Sequence, residues 1–197
     1  MTVSNSFFYA YYCAGIAGLN NDSIERCTNR AYISGIYAGG IQGCSIGFDN
    51  TENPIVSKCV NNGVVFGYNY ELELLAGKVG GISGTVYDDD NLGTTENCIN
   101  FGNVYGRNVG GIMGEVTAAN YQIKNCYNVG ACTTYWYYKN LYPEQSSEWE
   151  TVGAIVGDYR NLGDIQNCYY ESTDANHDGI VDETDEIDNT FARTKAQ

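Results

Sequence analysis

Internal repetition constrains this chain more than any other feature, because a short recurring unit must adopt one small structure many times and bury its apolar face against its own copies. Two patterns alternate along nearly the whole length. The first, Gly-Gly-Ile-x-Gly, reads as a strand signal and recurs five times, with its apolar residue at Ile16, Ile41, Ile82, Ile112 and Ile155. The second, apolar-x-Asn-Cys-x-Asn-x-Gly-x-Val-x-Gly, is centred on Cys27, Cys59, Cys98, Cys126 and Cys168. Ile24, Val56, Thr95, Ile123 and Ile165 stand three residues before those cysteines, and Asn29, Asn61, Asn100, Asn128 and Tyr170 two residues after. Four after come Ala31, Gly63, Gly102, Gly130 and Ser172; six after come Ile33, Val65, Val104 and Cys132. The fifth copy decays beyond its Cys, as a terminal unit would.

Units of roughly 30 to 40 residues are too short to bury a face alone, and their segments have the length of strands rather than helices. The reading is an all-β fold, a parallel β-solenoid (β-helix) of about five repeats with loop insertions and a C-terminal calcium loop. Its rungs would lie about 4.8 Å apart, with the hand left open. Residues 1–172 form the repeats and 173–197 a C-terminal edge segment. The period of two from Cys through Asn and Gly to Val puts these positions on one side of the path, with a bend at Asn-x-Gly. Glycine at fixed places fits corners that need φ > 0 or close backbone approach.

Composition narrows the function classes. With 24 Asp and Glu against 10 Lys and Arg, the chain carries a formal charge of −14, which opposes nucleic acid and anionic membrane surfaces. No apolar run approaches the length of a membrane span, so no membrane insertion is expected. Residues 1–5 lack a signal-peptide pattern, and the tail 190–197 stops abruptly; the expectation is a piece of a longer chain.

The paired motifs, above all Asn125-Cys126-Tyr127-Asn128-Val129-Gly130 and Val109-Gly110-Gly111-Ile112-Met113-Gly114, resemble the GLUG-motif repeats of bacterial surface and secreted proteins. The likeness covers about residues 14–172. Arg26 and Lys58 depart from it, standing where later copies carry Asn97, Asn125 and Asn167. The resemblance implies an extracellular repeat architecture and a secreted or cell-surface location; it brings no activity.

Eight cysteines in an exported protein ordinarily suggest disulfides. Here the register favours a buried thiol ladder at Cys27, Cys59, Cys98, Cys126 and Cys168, with Cys132 and Cys13 also in the core. Cys44 falls where other copies carry Leu19, Thr85, Glu115 and Asp158, and is expected to be exposed. Disulfides between neighbouring rungs and a metal site are the alternatives.

Residues 174–185 carry the sharpest chemical motif. Side-chain oxygens of Asp174, Asn176, Asp178, Asp182 and Asp185 fall at loop positions 1, 3, 5, 9 and 12, the Ile180 carbonyl at 7 and Gly179 at 6, a spacing that wraps a hard cation such as Ca²⁺. The loop resembles a dockerin-type calcium repeat, although its flanks do not, so no cohesin partner is expected. From Glu171 to Asp188 there are eight acidic residues and no Lys or Arg. Calcium would therefore have a structural role at the C-terminal edge; the bland alternative is a solvated acidic turn.

The connections from Cys59 to Ile82 and from Cys126 to Ile155, 23 and 29 residues, exceed the 14 residues of the others. These insertions hold Tyr70 in the first, and Tyr135, Trp136, Tyr138, Tyr142 and Trp149 in the second, the candidates for binding a glycan or a protein. The plain alternative is that they cover the flank of the coil. Asp88, Asp89 and Asp90, with Glu71 or Glu73, are the only carboxylates suggesting an acid and base pair, and they read better as a solvated turn. Two functions follow: a non-catalytic, calcium-stabilised adhesin or spacer module, which is preferred, and a β-helix carbohydrate-active enzyme or its accessory domain.

Overall fold

The computed structural model describes residues 11–47, 53–68, 77–87, 92–134, 151–159 and 164–171, and the backbone alone of Thr190–Arg193. The described residues form 25 short strands and no helix. No helix among them is therefore long and apolar enough to cross a membrane.

The strands make five sheets, and every pairing is parallel. Sheet 1 holds Tyr12–Ala14, Tyr37–Gly39, Lys78–Gly80, Asn108–Gly110 and Thr151–Gly153. Sheet 2 holds Ala17–Asn20, Gln42–Ile46, Ser83–Tyr87, Met113–Val116 and Val156–Tyr159. Sheet 3 holds Ser23–Glu25, Ile55–Ser57, Thr94–Glu96, Gln122–Lys124 and Asp164–Gln166. Sheet 4 holds Thr28–Asn29, Val60–Asn61, Ile99–Asn100, Tyr127–Asn128, Cys168–Glu171 and Thr190–Arg193. Sheet 5 holds Ile33–Gly35, Val65–Gly67, Val104–Gly106 and Cys132–Thr134. The chain visits the sheets in this order and then begins again. Apart from the last pair in sheet 4, each strand therefore pairs with the one five places further along.

The equivalences read from the repeats are pairings in these sheets. Val79 lies opposite Ala38 and Val109, Val65 opposite Ile33 and Val104, and Asn100 opposite Asn61 and Asn128. The period of two also holds, since Cys98, Asn100, Gly102 and Val104 are all buried while Phe101 and Asn103 are exposed.

One motif folds differently from the expected single strand. Gly-Gly-Ile-x-Gly is a corner: one strand ends at Gly39, Gly40 and Ile41 turn, and the next begins at Gln42. What the second glycine supplies is space. A Cβ on Gly40, Gly81 or Gly111 would sit 2.4, 2.3 or 2.2 Å from the side-chain Cγ of Asn61, Asn100 or Asn128. The apolar residue turns inward, and Ile41, Ile82, Ile112 and Ile155 are fully buried.

A second corner, between sheets 3 and 4, is left-handed. Arg26, Lys58, Asn97, Asn125 and Asn167 all have φ between 50 and 54°, a region that Asn enters more easily than other side chains. The Cys that follows points inside. Cys59, Cys98, Cys126 and Cys168 are fully buried, and their thiols donate to Ser57, Glu96, Lys124 and Gln166 carbonyls at 3.2 to 3.5 Å. Cys27, the first of the column, is only partly buried. All eight cysteines are free thiols.

Between these corners runs an asparagine ladder. In its middle members the amide N–H₂ donates to the carbonyl two residues on and to the next asparagine: Asn61 to Gly63 and Asn100, and Asn100 to Gly102 and Asn128, all at 2.8 Å. The amide oxygens of Asn61 and Asn100 also accept the backbone N–H two residues on, at 3.1 Å from Gly63 and Gly102. This closes the bend. The apolar interior falls into two clusters, one of Ile41, Ile82, Ile112 and the cysteine ladder, the other of Val65, Val104, Ala38, Val79 and Val109. Removing these side chains from water is worth roughly 1.5–3 kcal/mol each for the Val and Ile members.

Candidate functional site

From the Gly-Gly corner, sheets 1 and 2 run back beside each other in direct contact. A Cβ on Gly43 would meet the Cys13 backbone at 3.0 Å, one on Gly84 that of Ala38 at 3.0 Å, and one on Gly157 that of Val109 at 2.5 Å. From Gln42–Ile46 onward, each strand of sheet 2 is thus pressed onto the strand of sheet 1 from the preceding circuit.

That contact buries Cys44, which the sequence reading placed at the surface. Cys44 is fully buried, between Leu19 and Thr85 in its column. The polar nature of the column suggested exposure, but its members are satisfied in pairs. Thr85 Oγ1 donates to Glu115 Oε2 at 3.1 Å, Lys78 is ion-paired with Glu115, and Asn108 Nδ2 donates to Asp158 Oδ2 at 2.9 Å. Burial pushes the Cys44 thiol up to about 12, and the Glu115 carboxylate adds to the shift. Thr85 and Glu115 are themselves only 4% and 2% exposed.

Where the two sheets part, the facing columns leave a groove of about 770 Å³, lined by Tyr11, Tyr12, Tyr37, Lys78, Thr85, Val86, Tyr87, Glu115 and Thr117. The rings of Tyr12 and Tyr37 lie 5.3 Å apart at an interplanar angle of 30°, and Tyr11 packs on Tyr37 at 5.0 Å. Lys78 Nζ lies 5.7 Å from the centre of the Tyr37 ring. Burial, and then a hydrogen bond with Tyr11, push the Tyr37 phenol up to about 12; burial also raises Tyr12. The groove therefore offers the protonated phenols of Tyr12 and Tyr37, one ion pair, and the rings of Tyr11 and Tyr87, which are more than half exposed.

A second polar group is sealed inside. Tyr121 shares its hydroxyl with Thr95 Oγ1 at 2.9 Å and accepts from Gln42 Nε2, which also donates to Ser83 Oγ at 3.0 Å. Burial pushes Tyr121 up to about 12. This network joins sheets 2 and 3 and is not open to a ligand. The ladder thiols Cys59, Cys98, Cys126 and Cys168 are likewise closed to solvent; burial drives Cys126 up, whereas hydrogen bonds with neighbouring thiols lower Cys98 and Cys168, and burial pushes Cys132, in the valine column, up to about 12.

The binding residues expected from sequence lie outside the described residues: Tyr70, Tyr135, Trp136, Tyr138, Tyr142 and Trp149 in the insertions, and Asp174, Asn176, Asp178, Ile180, Asp182 and Asp185 in the acidic loop. So do Glu71, Glu73 and Asp88 to Asp90. Both insertions join sheet 5 to sheet 1, and their ends are two strands apart in each sheet, about 10 Å. Among the described residues no three His, Cys, Asp or Glu side chains gather as a metal site.

Tyr12, Tyr37, Lys78 and Glu115 were not singled out from the sequence. The usable signal was that Tyr12, Tyr37 and Lys78 share one repeat position and Thr85 and Glu115 another. No family model, curated protein or solved structure matches this chain.

Proposed function

We infer that the chain is a β-solenoid module of a bacterial secreted or surface protein, similar to GLUG-motif repeats, that spaces or binds rather than catalyses. The observation that carries the reading is the pairing of each strand with the strand five places on, with equivalent residues in register from strand to strand within each sheet. A surface built this way is long and regular, and suits the display of insertions at fixed intervals.

In this reading residues 174–185 hold Ca²⁺ through Asp174, Asn176, Asp178, Asp182, Asp185 and the Ile180 carbonyl, and the ion neutralises the acidic C-terminal edge. The aromatic insertion over 133–151 is available to a glycan or protein ligand. Incubation with a panel of polysaccharides is expected to give no new reducing or unsaturated ends, and reproducible turnover would falsify the non-catalytic reading. Melting with and without a calcium chelator tests the metal: Tm should fall by several degrees on chelation, and an unchanged Tm removes the ion.

A further inference from the structure

Along the facing columns of sheets 1 and 2, Asn108 closes on Asp158 and Lys78 on Glu115. Beside Tyr12 and Tyr37 the columns leave a space of about 770 Å³, within the roughly 300–1,000 Å³ of small-molecule sites.

The lining selects a class of ligand. Among the described residues of the lining, the one cation, Lys78, is paired with the one carboxylate, Glu115, so this lining carries no net charge. An anion would face a chain of charge −14 with no free counter-charge among the described residues of the lining. A cation would meet the Lys78 ammonium already set beside the Tyr37 ring. A neutral molecule with an apolar face and many hydroxyls meets neither penalty. Its C–H face can lie on a tyrosine ring, and its hydroxyls can bond to the phenols and to the Lys78 ammonium, a threefold donor whose side chain is 26% exposed.

We propose that this groove binds a neutral oligosaccharide, stacked on the exposed Tyr11 and Tyr87 rings and hydrogen-bonded by Lys78. The assignment rests on the reading of the chain as a binding module and gives that module a site distinct from the 133–151 insertion.

The test is saturation-transfer NMR on the full chain with cellotriose, maltotriose, laminaritriose and mannotriose, with trigalacturonate as the anionic control. At least one neutral trisaccharide should receive saturation on its ring C–H protons, and trigalacturonate none. Replacing the exposed rings, Tyr11→Ala with Tyr87→Ala, should weaken binding about tenfold, the scale of an aromatic contact, without touching the core, and Tyr11→Phe with Tyr87→Phe should restore most of it. Trp136→Ala with Trp149→Ala should leave it within about twofold.

Transfer to none of the neutral sugars, stronger transfer to trigalacturonate, or loss confined to the Trp136 and Trp149 variant would overturn the groove. Failure of the module reading shows separately, as new reducing ends in the same samples.

Discussion

At the residue scale, the five left-handed positions explain why Asn precedes Cys in three copies of the motif. A left-handed backbone costs an ordinary side chain roughly 1–2 kcal/mol, and Asn suffers less than Lys or Arg. Lys58→Asn should therefore stabilise the fold by about 0.5–1 kcal/mol, read as a higher urea midpoint at unchanged slope. Asn97→Val, which puts a β-branched residue at φ 54°, should lower the midpoint by about 1–2 kcal/mol. Equal stability of the two variants would mean that the corner is not strained. Tyr121 makes a second prediction here. Unfolded, a Tyr ionises near 10, whereas buried Tyr121 holds its proton to about 12. Above pH 10 the unfolded chain binds fewer protons, so the stability from this group is complete below pH 10 and is lost as pH rises toward 12. Urea midpoints should fall steeply over that range, and more gently in Tyr121→Phe.

At the scale of the element, the asparagine ladder and the glycine corner form one device. Asn100 fills the space that Gly81 leaves open, and its amide spans three successive circuits of the chain. Asn100→Ala would leave the Asn61 amide and the Gly102 backbone without their buried partner, at about 1–3 kcal/mol for each group. A loss of roughly 3 kcal/mol or more is expected by chemical denaturation. Gly81→Ala should be worse, because its Cβ would lie 2.2 Å from the Gly111 carbonyl oxygen, and that backbone cannot move without shifting the sheet. A double-mutant cycle between Asn61→Ala and Asn100→Ala should show coupling of about 0.5–3 kcal/mol. Additive losses would mean that the ladder bonds act independently.

At the scale of the whole molecule, short parallel strands in register remove the thiols from solvent. Of the eight free cysteines, seven are buried and Cys27 is partly so. A thiol reagent should thus label no more than one cysteine quickly in the native protein and all eight after denaturation. Rapid labelling of three or more would show that the interior is not closed as described. The same geometry places both long insertions at the junction of sheets 5 and 1, so any surface they form is set by the spacing of strands.

The sequence by itself determined the period, the columns and which faces turn inward, because side chains that must stack at a fixed spacing leave the same residue type at the same position in every copy. Cys, Asn and Val declared their partners in this way, and so did the bend at Asn-x-Gly. Only the tertiary structure decided how the sheets fold onto one another: that Gly-Gly-Ile is a corner, that Cys44 lies beneath the neighbouring sheet, and that Lys78 meets Glu115. These contacts join residues of different columns and different circuits. Their closeness depends on absent side chains at glycine and on polar groups satisfying one another across sheets, neither of which leaves a repeating mark along the chain.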